Sequence, residues 1–237
     1  MIRLQTVALT IAICAGVCSI GACSPSSEPH PAQSQTSAAP AQPSAPTTNS
    51  ENLDISRITN IQNFFPSGLI PNVVPLQHNG ADRSSKYGRV LGMTPSEVDP
   101  AQCEPGLQVV LASDGYDWIG LQAHEQSGPQ AFVGAIRATE PFAISQPSPG
   151  CDRVSYKADR EQGTIETVAA PVIDGVTTRA YKIQSDGELG SGVRYYYAAI
   201  LSDRIFIDIR GVLEPSSQTE QAFSDLLGRA VAAVRGA

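Results

Sequence analysis

The sequence predicts an α+β domain: an antiparallel β-sheet with an amphipathic C-terminal helix packed on one face and short helices at its N-terminal side. Three observations predict it. Residues 204–212 alternate, with Ile205, Ile207 and Ile209 on one face of a strand and Phe206, Asp208 and Arg210 on the other. Phe223, Leu226, Leu227, Ala230, Val231 and Val234 recur at three- and four-residue steps, one apolar stripe of a helix. The strands come as a run before that helix rather than alternating with helices, which is the α+β order.

The elements follow from local chemistry. Asp54 caps a short helix whose Ile55, Ile58, Ile61 and Phe65 share a face. Phe65-Pro66-Ser67-Gly68 stops it. Thr94-Pro95-Ser96-Glu97 has the cap, the proline and the glutamate of a second helix start. Segments 107–112 and 118–123 flank Asp114-Gly115 and are expected to pair as a hairpin. Strands are expected at 131–138, 151–158, 164–169 and 177–184, with Asp174-Gly175 turning between the last two. Segments 194–201 and 204–212 form the best hairpin, joined at Ser202-Asp203. The alternation of the second implies a sheet with one covered face. Ser217 and Glu220 fit a capping box, Arg229 and Arg235 suit the helix C-terminus, and Gly236 ends it. Gly228 inside the helix costs about 1 kcal/mol relative to Ala, so close packing is expected there.

The N-terminus has the form of a lipoprotein leader. Arg3, an apolar run over 7–17 and small residues lead to Ser19-Ile20-Gly21-Ala22-Cys23. Cleavage before Cys23 and lipidation of its sulfur are expected, with Cys18 a poorer alternative and Cys14 inside the apolar run. A membrane-spanning helix is disfavoured, because no Lys or Arg follows the run as a stop-transfer segment requires. Residues 1–22 are thus the signal peptide, and 23–52 a Ser/Pro/Ala tether without enough apolar surface to fold. Residues 53–237 form the globular domain. As a flexible coil the tether reaches roughly 30 Å, and about 90 Å if its prolines extend it. Threonines 36, 47 and 48 are candidate glycosylation sites. The expected location is the outer face of the plasma membrane.

The chain carries 16 basic and 23 acidic side chains, a net charge of −7. Without residues 1–22, and so without Arg3, it carries 15 against 23, or −8. That balance disfavours a nucleic-acid partner and a domain lying flat on anionic lipid. In an exported chain the two remaining cysteines, Cys103 and Cys151, most simply form a disulfide. Closing a loop of about 49 residues is worth roughly 4 kcal/mol in the chain-entropy account. Redox chemistry is disfavoured by the absence of a Cys-x-x-Cys spacing.

No motif names a reaction or a cofactor. Beyond His30 in the tether, His78 and His124 are the only histidines, and neither stands in a zinc pattern. There is no Gly-x-Ser-x-Gly elbow and no phosphate loop or dinucleotide fingerprint. A hydrolase built on His124 and Ser113 is the weakest of the readings. The aromatic residues are more suggestive. Tyr195, Tyr196 and Tyr197 are consecutive on one strand, and Trp118 and Phe206 lie on others. If some of them share the face the helix leaves open, they line a groove for a small apolar or sugar-like ligand. The alternative is ordinary packing.

Several strings resemble those of mycobacterial and related actinobacterial lipoproteins of unknown function, often labelled sensor-domain-containing proteins. They are Phe65-Pro66-Ser67-Gly68-Leu69, Val98-Asp99-Pro100-Ala101-Gln102-Cys103, Cys151-Asp152-Arg153-Val154 and the end at 230–236. The order of helix, cysteine, strands, cysteine, hairpin and terminal helix is also similar to the extracellular sensor domain of PknH-type receptor kinases. That resemblance implies an α+β sheet with a cleft, stabilised by disulfides. The expectation is an envelope module that binds a ligand or partner without catalysing a reaction. A scaffolding lipoprotein, or a hydrolase of envelope lipid or glycan, are the alternatives.

Overall fold

The centre of the fold is the hairpin that the alternation predicts. β10 (Gly192–Ile200) and β11 (Ile205–Val212) pair antiparallel, Tyr197 opposite Ile209 and Ile200 opposite Phe206. The computed structural model describes residues 52–66, 68–79, 88–111, 115–124, 128–188 and 191–237. Cys23, the leader and the tether up to residue 51 lie outside them, as does Ser113.

The remaining strands are β1 (Asn72–Asn79), β2 (Glu97–Asp99), β3 (Val110–Leu111), β4 (Tyr116–His124), β5 (Gln130–Ala138), β6 (Ala143–Ile144), β7 (Arg153–Lys157), β8 (Glu161–Thr167) and β9 (Thr177–Gly187). Of the eleven strands among the described residues, nine form one sheet in the order β1-β4-β5-β11-β10-β9-β8-β7-β2, and β3 pairs with β6 apart from it. Every pairing is antiparallel. Helix α1 (Ser217–Arg235) follows. Its N-cap is Ser216, whose hydroxyl accepts from Thr219 N, one residue earlier than the capping-box pattern indicates. Gly236 closes it in the left-handed conformation.

The helix stripe predicted from spacing is buried, and it packs on β10 and β11. Beside it lies a 3-10 helix, Ile55–Phe64, set on β4 and β5. Asp54 caps it by accepting from Ser56 N, and Ile55, Ile58 and Ile61 face inward. The backbone N–H of Asp54 also donates to Val234 O, tying the start of the domain to the end of α1. Together these helices cover a core containing Leu121, Val133, Tyr195, Tyr197, Ile207, Ile209 and the α1 stripe.

Four expectations need correction. The sheet is covered on both faces, not one. On the face away from α1, a second core gathers Tyr196, Phe206, Ile136, Trp118, Tyr156 and Ile183. It is covered by residues around Val90 and Leu91, by Phe142, and by a second 3-10 helix, Ala101–Leu107. The segment at 94–97 is no helix. Ser96 N donates to Lys157 O and Glu97–Asp99 pairs with β7, so sheet pairing overrides the local capping pattern. The 107–112 segment does not pair with β4. It supplies β3, whose partner is β6, while β4 lies between β1 and β5. Gly228 has no atom within 4 Å of where a Cβ would sit, so no close approach requires it.

A disulfide joins Cys103 to Cys151, with Cα atoms 5.5 Å apart. It fastens the second 3-10 helix to the start of β7 and closes one side of the second core.

Candidate functional site

The nominated aromatic residues do not line a groove. Tyr195 and Tyr197 lie under α1, their rings 5.6 Å and 5.9 Å from Phe223. The Tyr197 hydroxyl donates to Glu220 O. Tyr196 points the other way, its ring 6.3 Å from Tyr181 and 5.3 Å from the Arg210 guanidinium. Phe206 meets Phe142 edge-on at 6.5 Å, and Trp118 meets Phe132 at 5.7 Å. All five are buried. The groove reading assumed an open sheet face for these residues, and each face is covered where they stand. Burial, with the charge of Asp208, also holds the Tyr196 hydroxyl well above the usual phenol range, so it stays protonated.

What remains open is one end of the helix-side face, beyond α1. The strand registers define its floor. Val193, Gln184, Thr164, Ser155 and Asp99 form one row across β10, β9, β8, β7 and β2. Asp186, Gln162, Lys157 and Glu97 form the next. Tyr195, Lys182, Glu166 and Arg153 form the third, where Lys182 reaches Glu220 of α1 at 3.7 Å. Alternate residues on the same strands, Val154, Tyr156, Ile165 and Ile183, turn into the second core. The sequence therefore places polar side chains on the open side by the period-2 rule.

The result is a trough of about 740 Å³ that includes the first two rows and Arg153. Five strands at about 4.8 Å spacing make it roughly 19 Å wide. Amide and hydroxyl groups of Gln162, Gln184, Ser155 and Thr164 occupy the middle, and charged groups the margin. Lys157 pairs with Glu97 at 2.8 Å, which raises the lysine's affinity for its proton. Ser191 Oγ donates to Asp186 Oδ1 at 2.6 Å. No aromatic side chain lies on the first two rows. Sequence reasoning missed this surface because an exposed Ser, Thr or Gln carries no signal of its own. Only the register shows that they share a face.

The histidine bound to a carboxylate is His78, not His124. His78 Nδ1 lies 2.5 Å from Asp117 Oδ1, and Arg137 donates to Asp117 Oδ2 at 3.0 Å. Burial pushes the Asp117 carboxyl up, but hydrogen bonds from His78 and Arg137 outweigh it and hold the group below its usual range. The pair sits on the exposed β1–β4 edge, away from the trough, and His78 is 75% exposed. No His, Cys, Asp and Glu cluster suited to a metal occurs among the described residues. Among them, too, no helix is long and apolar enough to cross a membrane.

Among the described residues, fold and site define an antiparallel-sheet domain with two cores, a Cys103–Cys151 disulfide and an open trough lined by polar side chains. The chain belongs to the family described as Domain of unknown function (DUF5642), which matches residues 54–235. It is similar in fold to an uncharacterised Mycobacterium smegmatis protein, the Rv0999 ortholog, whose crystal structure superposes with a TM-score of 0.62. The identity is 21%, over 78% of this chain and 98% of that one. Among curated proteins none matches the chain.

Proposed function

We propose that this is an exported, lipid-anchored envelope protein that binds rather than catalyses, and that the trough is its binding face. The observation that carries the site is the band of amide and hydroxyl side chains across β7, β8 and β9, left uncovered by α1. Such a surface offers donors and acceptors spread across neighbouring strands, and no aromatic side chain stands on its two main rows. It suits an extended polar ligand, such as a sugar chain or a polar peptide segment of an envelope partner, better than the small apolar ligand inferred from the aromatics. Location rests on the lipobox ending at Cys23 and the Pro/Ser/Ala tether behind it. A sensor-like role on the pattern of the PknH-type domains rests on element order alone. The hydrolase alternative, built on His124 and Ser113, rests on sequence alone, Ser113 lying outside the described residues, and the scaffolding alternative differs only in the size of the ligand.

The test has two parts. Cys23→Ala should abolish diacylglycerol on the intact mass and shift the chain out of the membrane fraction; an unchanged mass and fractionation would end the anchor reading. Native mass spectrometry of the chain, extracted gently from envelope, should show an adduct that the trough variant Thr164→Arg loses. An adduct unchanged by that variant places the ligand elsewhere, and a bare mass with no envelope partner captured at Thr164 by a photo-crosslinker removes the binding reading.

A further inference from the structure

On the opposite face of the sheet, the structure holds a second, smaller concavity of about 220 Å³. Val90, Leu91, Phe132 and Ile183 give it apolar walls, and Arg194 and Arg210 bring two guanidinium groups to it. Among the described residues that line it, none is acidic. The acids stand behind the arginines and fix them. Arg210 Nε donates to Asp208 Oδ2 at 2.9 Å, with Asp208 fully buried. Arg194 bonds Glu161 and, at 3.2 Å, the Tyr156 hydroxyl. Each guanidinium is therefore oriented from below by a carboxylate that does not reach the cavity wall.

The two arginines are diagonal neighbours. Arg210 stands opposite Tyr196, and Arg194 lies two residues before Tyr196 on the same strand, so both project from adjacent strands on the same face. Diagonal side chains of this kind lie about 7–8 Å apart at the backbone, within reach of a common anion for residues as long as arginine. The side chains of Arg194 and Arg210 remain 29% and 30% exposed, so each guanidinium keeps an accessible edge beyond its carboxylate partner.

Size selects the ligand. An apolar cavity of about 150 Å³ accommodates benzene. A cavity of about 220 Å³ with guanidinium groups at its wall fits a benzene-sized body that carries one carboxylate. We infer that this cavity is a binding site for a compact monocarboxylate with an aromatic or branched apolar body, the carboxylate lying at Arg194 and Arg210 and the body against Leu91 and Phe132. It is a site separate from the trough, on the other side of the sheet.

The experiment is calorimetric titration of the full chain with benzoate, with its neutral isostere benzamide and with inorganic phosphate. Benzoate should saturate a single site. Benzamide, lacking the charge, should bind at least about tenfold more weakly, as expected for loss of a charge-assisted hydrogen bond. Phosphate, lacking the apolar body, should not compete at equal concentration. Arg194→Gln, which leaves a donor for Glu161, should weaken benzoate by a similar factor at a temperature below the variant's own melting transition, where the chain is folded. Leu91→Trp should fill the cavity and remove binding. Equal affinity for benzamide, full competition by phosphate, or no saturable heat with benzoate would each overturn the assignment. So would benzoate affinity unchanged in both folded variants. If Leu91→Trp does not fold, Arg194→Gln alone decides the last point.

Discussion

Gly163 shows how a single missing carbon fixes the sheet. A Cβ there would lie 1.9 Å from Gln184 O, a backbone atom of the neighbouring strand. Backbone cannot swing aside as a side chain can, so β8 and β9 would have to part. Gly163→Ala should therefore destabilise the domain by about 2 kcal/mol or more, read by urea unfolding; a change under 0.5 kcal/mol, the ordinary surface range, would show that the strands do not approach this closely. Charges at this scale act through pH. Asp117 has its pKa lowered in the fold, so its contribution is fully present above about pH 4, the ordinary carboxylate value, and is lost as pH falls through the folded value. Being partly exposed, the cluster is worth at most about 1 kcal/mol. Asp208 is opposite in sign. Burial raises its pKa against the pull of Arg210, so ionising it opposes folding. The penalty is absent below about pH 4 and grows as pH rises toward the raised value. The stability of Asp208→Asn relative to the native chain should thus climb with pH from about 4 upward; parallel stability curves would show that Asp208 ionises in the core without penalty.

Among elements, α1 was the most legible, and its one surprise is a test. Nothing lies within 4 Å of a Cβ at Gly228, so Gly228→Ala should stabilise the helix by about 1 kcal/mol, measured as a rise in the unfolding midpoint. The 3-10 helix at 55–64 was legible in place and inward face, because Asp54 and the isoleucine spacing act locally. So were β5, β7, β8, β9, β10 and β11, through alternation and turns. The second helix start at 94–97 failed because a capping pattern is a local preference, and the backbone of Ser96 and the side chain of Glu97 find better partners on β7. The hairpin at Asp114-Gly115 failed because turn chemistry does not name the strand that follows it. β1 went unseen: Pro75 breaks its pattern, and a register shift between Val74 and Gln77 lets it lie at the sheet edge. The disulfide was legible by arithmetic alone, two cysteines left over in a chain whose leader reads as an export signal. Removing it with Cys103→Ser should lower the melting temperature by roughly 10 °C, given about 4 kcal/mol of loop-closure entropy; an unchanged value in non-reducing buffer would mean that the 3-10 helix at 101–107 is held by packing alone.

The whole molecule is a sheet whose two faces do different jobs at different ends. One face is sealed by α1 and the 3-10 helix at 55–64 over the central strands and left open and polar beyond them. The other is sealed by loops around Phe142 and Leu91 except at the arginine cavity. The aromatic residues nominated from sequence turn out to build these seals, and the trough could be found only after strand register had put distant polar residues in one row. Because Gln184 is exposed and Thr164 half-buried on the trough floor, Gln184→Ala and Thr164→Ala should change folding stability by no more than about 0.5 and about 1 kcal/mol respectively while removing contacts a ligand would use. A larger loss of stability would show that the rows belong to the structural core. This separation has a consequence for descent. A lineage can exchange the four middle residues of the trough almost freely, one at a time, without approaching the threshold at which the domain ceases to fold. On the proposed binding reading, the scaffold can then persist while the trough's ligand changes, and members of one family with superposable backbones are free to answer to different molecules.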